Sequence, residues 1–239
     1  MLPSFHFRSV LGVIAAFGLS SPAYAGPPFV TDDPQPTEYH RWEVYQFASL
    51  SREDGVTGLD TGLDLNYGAI KDLQLTATLP LHRETGAPLD VGEVQLAAKY
   101  RILHQGGGHL PIDVSLFPRV ILPTGRGAGR ARVLLPVWGQ RNQGRWQFFG
   151  GGGYVLNPGE GNRNYWVQGA AVMRQMRPGW QLGIEEYHQG PTAQGERAVT
   201  GLNLGTLIHI KGPVSLIGSA GQGLNRRQSL FYAALKLDL

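Results

Sequence analysis

Residues 59–79, LDTGLDLNYGAIKDLQLTATL, decide the fold. In the first half Leu59, Thr61, Leu63, Leu65, Tyr67 and Ala69 alternate with Asp60, Gly62, Asp64, Asn66 and Gly68. In the second half Leu73, Leu75, Ala77 and Leu79 alternate with Gln74, Thr76 and Thr78. A period of two sends the two sets to opposite faces of an extended strand. Ile70-Lys71-Asp72 between them reads as a tight turn. The stretch is therefore a β-hairpin with one apolar and one polar face. The pattern recurs at once, with Val94, Leu96, Ala98, Tyr100 and Ile102 opposing Glu93, Gln95, Lys99 and Arg101.

Carried along the chain, the alternation predicts about twelve strands of roughly ten residues, the length a tilted strand needs to cross a bilayer. Tight turns at Asn142-Gln143-Gly144, Arg177-Pro178-Gly179 and Lys211-Gly212-Pro213 alternate with longer polar loops. Those loops fall near Ser51–Thr57, Arg83–Asp90, Pro123–Arg130, Asn157–Asn162, Gly190–Glu196 and Gly221–Arg226. Short periplasmic turns and long outer loops are the habit of outer-membrane barrels. His104–Leu110 is the exception, a long connection where a short one is expected. The expected fold is all-β: a single closed antiparallel transmembrane barrel.

Composition agrees with this. Of 239 residues, 16% are charged, below the ~25% of ordinary domains, and glycine is unusually frequent at 34. Cysteine is absent, which excludes disulfides, thiolate metal sites and cysteine nucleophiles. The net charge of +3 is spread evenly, without the basic block that nucleic-acid binding requires. No apolar run reaches the ~18 residues of a membrane helix. Arg8, the apolar run Val10–Leu19 and Ala23-Tyr24-Ala25 have the three parts of a secretory signal peptide. The expected organisation is a leader at 1–25, an extended segment at 26–38 and the barrel at 39–239.

Tyr67, Tyr100, Trp138, Trp146 and Trp180 all fall within a few residues of a short turn. Placed on the apolar face, they form an interfacial girdle at one level. The ending Phe231–Leu239 alternates to its last residue, like the C-terminal strand that barrel-assembly machinery reads. Outer-membrane lipids and lipopolysaccharide are the other expected partners, the latter through Arg126, Arg130 and Arg132. Pro80, Pro118 and Pro136 each delete a ladder hydrogen bond. Reflecting the hairpin about Gly127 sets Pro118 opposite Pro136, a paired kink.

The stretches GPPFVTDDPQPTEYHRWEVY (26–45), LDLNYGAIKDLQLTATLPL (63–81) and FPRVILPTG (117–125) resemble a family of porin-like bacterial outer-membrane transport proteins, some linked to phenol-degradation operons. The resemblance runs through the whole mature chain. It implies a closed barrel in the outer membrane and brings no substrate with it.

The six histidines after the leader, His40, His82, His104, His109, His188 and His209, are scattered and accompany no nucleophile elbow or H-E-x-x-H pair. No catalytic, cofactor or metal site is expected. A lipid-acting barrel enzyme and a plugged structural barrel are the alternatives to a channel. The Gly125–Arg130 loop lacks the following helix that a phosphate cradle needs.

The inward face carries the functional reading. Asp60, Asp64, Gln74, Thr76, Glu93, Lys99 and Arg101 are expected to make a polar wall. Asp113, Phe117, Arg119, Leu135, Val137 and Phe149, with Arg174, are expected to make an opposing apolar wall with a few cations. Such a lumen suits small aromatic or amphipathic molecules, with Arg119 and Arg174 orienting any anionic group. Alternatively, segment 26–38, with Phe29 and Val30, folds inward and covers the apolar wall.

Overall fold

The computed structural model describes residues 28–107, 111–125 and 129–239. The leader expected at 1–25, with Gly26, Pro27, His109 and Arg126, lies outside the described residues. Fourteen strands are present among the described residues: β1 (Trp42–Glu53), β2 (Val56–Ile70), β3 (Leu73–Glu84), β4 (Asp90–Val91), β5 (Val94–Leu103), β6 (Asp113–Leu116), β7 (Arg119–Leu122), β8 (Arg132–Gln143), β9 (Trp146–Leu156), β10 (Tyr165–Arg177), β11 (Trp180–Gln189), β12 (Val199–Lys211), β13 (Val214–Gly223) and β14 (Gln228–Asp238).

Each strand pairs antiparallel with its neighbours. The wall closes where β1 meets β14, in register from Glu43 with Asp238 to Glu53 with Gln228. Trp42 and Leu239 seal the seam by exchanging two backbone hydrogen bonds of 2.9 and 2.8 Å. Twelve strands make the wall, because β4 has two residues and β6 and β7 are halves of one span.

Proline explains the interruptions. Pro118 separates β6 from β7, and it has no N–H to offer a ladder. The Pro80 carbonyl accepts from Gly92 N–H at 2.8 Å, so its missing donor faces the same side. There the β3–β5 ladder ends, at Thr78 with Gln95, and β4 takes over at Leu81 and His82.

The hairpin register corrects one expectation. Leu116 faces Val137 and Arg119 faces Leu134. Pro118 is therefore one residue out of step with Pro136, and the reflection about Gly127 was off by that residue. A one-residue slip moves every side chain to the other face. Leu135 and Val137, expected in the lumen, are 51% and 46% exposed on the outside. Trp138, expected in the outer girdle, is 5% exposed and lies inside. The two-residue turn at Gly144-Arg145 sets Gln140 opposite Phe149, so even positions of β8 share the lumen with odd positions of β9. The first outer loop is also shorter than expected, with only Asp54 and Gly55 between β1 and β2.

The outer surface is an apolar belt, with Leu63, Leu79, Leu96, Val120, Leu204 and Leu216 among its exposed members. At the end bearing the short turns, Tyr100 and Trp146 are exposed and the Trp42 ring packs, tilted, against Tyr67 with 4.7 Å between ring centres. Trp180 is half-buried at the same end and donates from Nε1 to Thr206 Oγ1 at 3.1 Å. A second aromatic pair, Tyr154 and Trp166 with centres 5.0 Å apart, marks the loop end.

Leu96→Arg places a cation in the middle of the belt and is expected to cost ~2–4 kcal/mol in lipid vesicles. Thr76→Arg, on the lumen face, should disturb the wall's contact with lipid far less. Denaturant unfolding in vesicles reads the difference, and equal losses would invert the assignment of faces.

Candidate functional site

The segment Pro28–Glu38 lies inside the barrel, and most of its residues are buried. Its sequence has no periodicity and three prolines, so it makes no ladder and relies on wall side chains for hydrogen bonds. It enters at the turn end, where Tyr39 bridges Gly68 of β2. Thr37 donates both its N–H and its hydroxyl to Gln74 Oε1, at 2.8 and 3.0 Å. Gln74 Nε2 donates in turn to Asn66 Oδ1 and Thr76 Oγ1. Gln35 donates to Asp113 at 3.0 Å and accepts from Arg101, while the Pro34 carbonyl accepts from Ser115 Oγ.

Halfway up the lumen the holding force becomes ionic. Lys99 Nζ lies 2.8 Å from Asp32 Oδ1, and both side chains are almost fully buried. Arg119 Nη2 lies 3.8 Å from Asp32 Oδ2, and Arg119 Nη1 donates to Gln95 at 3.0 Å. Lys99 and Arg119 both lie over the fully buried Phe117 ring, 4.7 and 4.8 Å from its centre, and Trp138 packs on Phe117. Beyond this point the chain crosses to β11. The backbone N–H groups of Val30 and Thr31 both donate to the Glu185 carboxylate, which also accepts from Asn203 Nδ2 at 2.6 Å.

Phe29 then fills a pocket with Phe149, Ala171 and Met173. Two glycines make the seat possible. A Cβ on Gly169 would stand 2.0 Å from Thr31 Oγ1, and one on Gly205 would stand 2.5 Å from the Phe29 ring. Gly205 pairs with Gly183, three residues from the turn-end start of β11, whereas Gly169 pairs with Tyr187, farther up that strand. The segment thus rises to an apex at Thr31 and bends back down.

This plug divides the lumen. On the loop side is a cavity of ≈ 100 Å³ floored by Val30, Thr31 and Asp32. On the turn side is a cavity of ≈ 210 Å³ roofed by Asp33, Gln35 and Pro36. Asp64, Gln74, Thr76, Lys99, Asp113, Phe117, Arg119 and Phe149 are all buried on the lumen side. Glu93, bonded to Arg132, lines the loop-side cavity, and Asp60 accepts from His82 Nδ1 at 2.7 Å. Arg101 sits at the turn-end mouth between Asp72 and Gln35. Arg174 departs from expectation: it is exposed, with its guanidinium 5.0 Å above the outward Trp146 ring.

At the mouth, outside the spanning strands, burial raises the Asp72 carboxyl. Hydrogen bonding and charge from Arg101, with His104 after it, outweigh that and leave it below the usual carboxylate range. The described histidines are dispersed, His40 against the Tyr39 ring, His82 on Asp60, His104 on Asp72, His188 on Thr200 and His209 near Ser215. Glu185 and Asn203 escaped the sequence reading, because the adjacent Glu185 and Glu186 give no strand phase by themselves.

No family model and no curated protein matches the chain. Its fold is similar to that of solved outer-membrane proteins. An outer membrane channel from Pseudomonas putida F1 superposes with a TM-score of 0.72 at 15% identity, over 87% of this chain and 98% of that one. The KdgM porin, in a crystal with disordered oligogalacturonate, gives 0.60 at 7% identity over 82% of this chain and 99% of that one. The NanC porin gives 0.61 at 9% identity, over 82% of this chain and 100% of that one. The likeness is one of fold.

Lys99→Met strands Asp32 as a buried charge whose remaining cation, Arg119, stands 3.8 Å away, and should loosen the seated plug by about 3–5 kcal/mol. Adding Asp32→Asn should recover most of that loss. Limited proteolysis of the folded barrel, with mass readout of cleavage between residues 28 and 38, measures both. Equal resistance in all three proteins would show that the ion pair does not hold the segment.

Proposed function

We propose that this chain is an outer-membrane channel for small, largely apolar or amphipathic molecules, closed at rest by its own N-terminal segment. The supporting observation is the division of one lumen into two cavities by a segment held without covalent bonds. A barrel meant only as a rigid body needs no such arrangement, since twelve strands leave a lumen that wall side chains alone could narrow. The apolar belt and the aromatic pairs at both ends support placement in a membrane, and the likeness to porins agrees with it.

Aromatic and other single-ring solutes are the favoured permeants. With β8 in its observed register, Leu134, Trp138, Val155, Tyr165 and Tyr187 line the loop-side cavity, beside the charged Asp32, Glu93, Arg119 and Arg132. The apolar part of that wall gives ring-shaped solutes a shallow hold, and a sugar pressed against it would lose water contacts without replacement. Exposed arginines at the loop end, such as Arg52 and Arg130, are suited to lipopolysaccharide phosphates, and the terminal strand β14 to the assembly machinery.

Flux into liposomes tests the channel reading. The chain lacking residues 26–38 should pass both phenylalanine, whose zwitterion crosses lipid only slowly, and a monosaccharide, provided that its heat-dependent gel shift shows a closed barrel. The full chain should pass phenylalanine more slowly and the sugar hardly at all. A closed, shortened barrel that passes neither solute would make the protein a structural barrel instead.

A further inference from the structure

We infer that the loop-side cavity is a receiving site for a neutral molecule of about one ring, and that binding there holds the plug closed. This rests on the channel reading and sets its order of events: capture first, opening second.

The charge count in the cavity fixes the ligand class. Its wall carries Asp32, Glu93, Arg119 and Arg132. Arg132 bonds Glu93, and Arg119 faces Asp32 at 3.8 Å while donating to Gln95. Asp32 is shared between Arg119 and Lys99, whose Nζ lies 2.8 Å from Oδ1, and the two guanidiniums of the wall are matched in number by its two carboxylates. An incoming anion would give up hydration to face Asp32 and Glu93 as well as the two arginines, with no net attraction to offset the loss. Arg174, the other cation expected to orient an anion, is outside the barrel. A neutral molecule loses little by entering and gains contact with the apolar part of the wall. A volume of ≈ 100 Å³ is below the ~150 Å³ that admits benzene in an engineered apolar cavity, so a single ring enters only with part of it in the cavity's open mouth toward the loops.

The sign of the coupling follows from the floor. Val30, Thr31 and Asp32 belong to the plug, and without them the cavity is open below. A molecule fitting the cavity therefore touches more surface when the plug is seated than when it is withdrawn. A ligand shifts an equilibrium toward the state that it binds better, here the closed one. Withdrawal of the plug dismantles the site, so affinity falls when release toward the turn end becomes possible. The same segment is gate and half of the binding site.

The chain has no cysteine, so a single introduced thiol reports plug withdrawal cleanly. Pro34→Cys places a thiol at a fully buried point of the segment, and Thr31→Cys is a second reporter at the apex. Maleimide labelling of the full, folded chain is followed with cyclohexanol, or with cyclohexanecarboxylate at pH 7.5. Calorimetry on the same protein gives the dissociation constant. At ten times that constant, cyclohexanol should slow labelling about tenfold. The carboxylate at the same concentration should leave the rate unchanged. Leu134→Trp, which fills the cavity from the wall, should abolish the protection.

Faster labelling with cyclohexanol would reverse the coupling and overturn the inference. So would absence of cyclohexanol binding, or protection by the carboxylate as strong as by the alcohol. Vesicle flux judges the channel reading separately: protection without passage would sink that reading and leave the closed-state site standing.

Discussion

The pairing of β1 with β14 is the contact on which everything else depends. A wall that spans hydrocarbon must satisfy every backbone N–H and C=O within itself, and only a closed ladder does so. Closure commits the chain to an inside, and the inside has to be filled or hydrated. The N-terminal segment, which leads into the start of β1 at Trp42, fills it. Its prolines keep it from adding to the ladder, and its Thr, Asp and Gln side chains meet partners that β3, β5, β6 and β11 already point inward.

The plug is held by two kinds of force in different places. On one side of the lumen it is a chain of hydrogen bonds and buried charges, Gln74, Asp113, Lys99 and Arg119. On the other, Phe29 is packed among Phe149, Ala171 and Met173. Glu185 joins the two, because a carboxylate that accepts from two successive backbone N–H groups fixes the turn between them. Polar anchors of this kind bring little net stability in water-facing surroundings. Where the anchors are buried, as Asp32, Gln74 and Lys99 are, their loss is costly, which is why the segment has one seat and not many.

Much of this was legible in the sequence, and the failures have a common cause. Strict alternation at 59–79 and 93–102 fixed both the hairpin and the faces of Asp64, Gln74, Thr76 and Lys99, since only one phase puts the carboxylate and the amine inside. In β8, Val133, Leu135 and Val137 form one apolar set and Leu134, Pro136 and Trp138 another. Hydrophobicity could not choose between them, and the turn geometry that does choose was misjudged by one residue. Arg132 and Gln140 held the answer, both polar and both in the even phase. The path of residues 28–38 was legible only as one of two alternatives, because its partners lie 37 to 155 positions away and the segment has no pattern of its own.

The link between plug and barrel is short. Thr37 is held by Gln74 and Trp42 already belongs to β1, so fewer than fifteen residues separate the apex at Thr31 from a fixed wall. A tether of that length keeps a withdrawn segment near its seat at an effective concentration on the order of millimolar. Reseating is then an intramolecular event that no dilution or turnover of the surroundings can slow. In the channel proposed above, closing is therefore a property of the single chain, independent of protein concentration and of any partner.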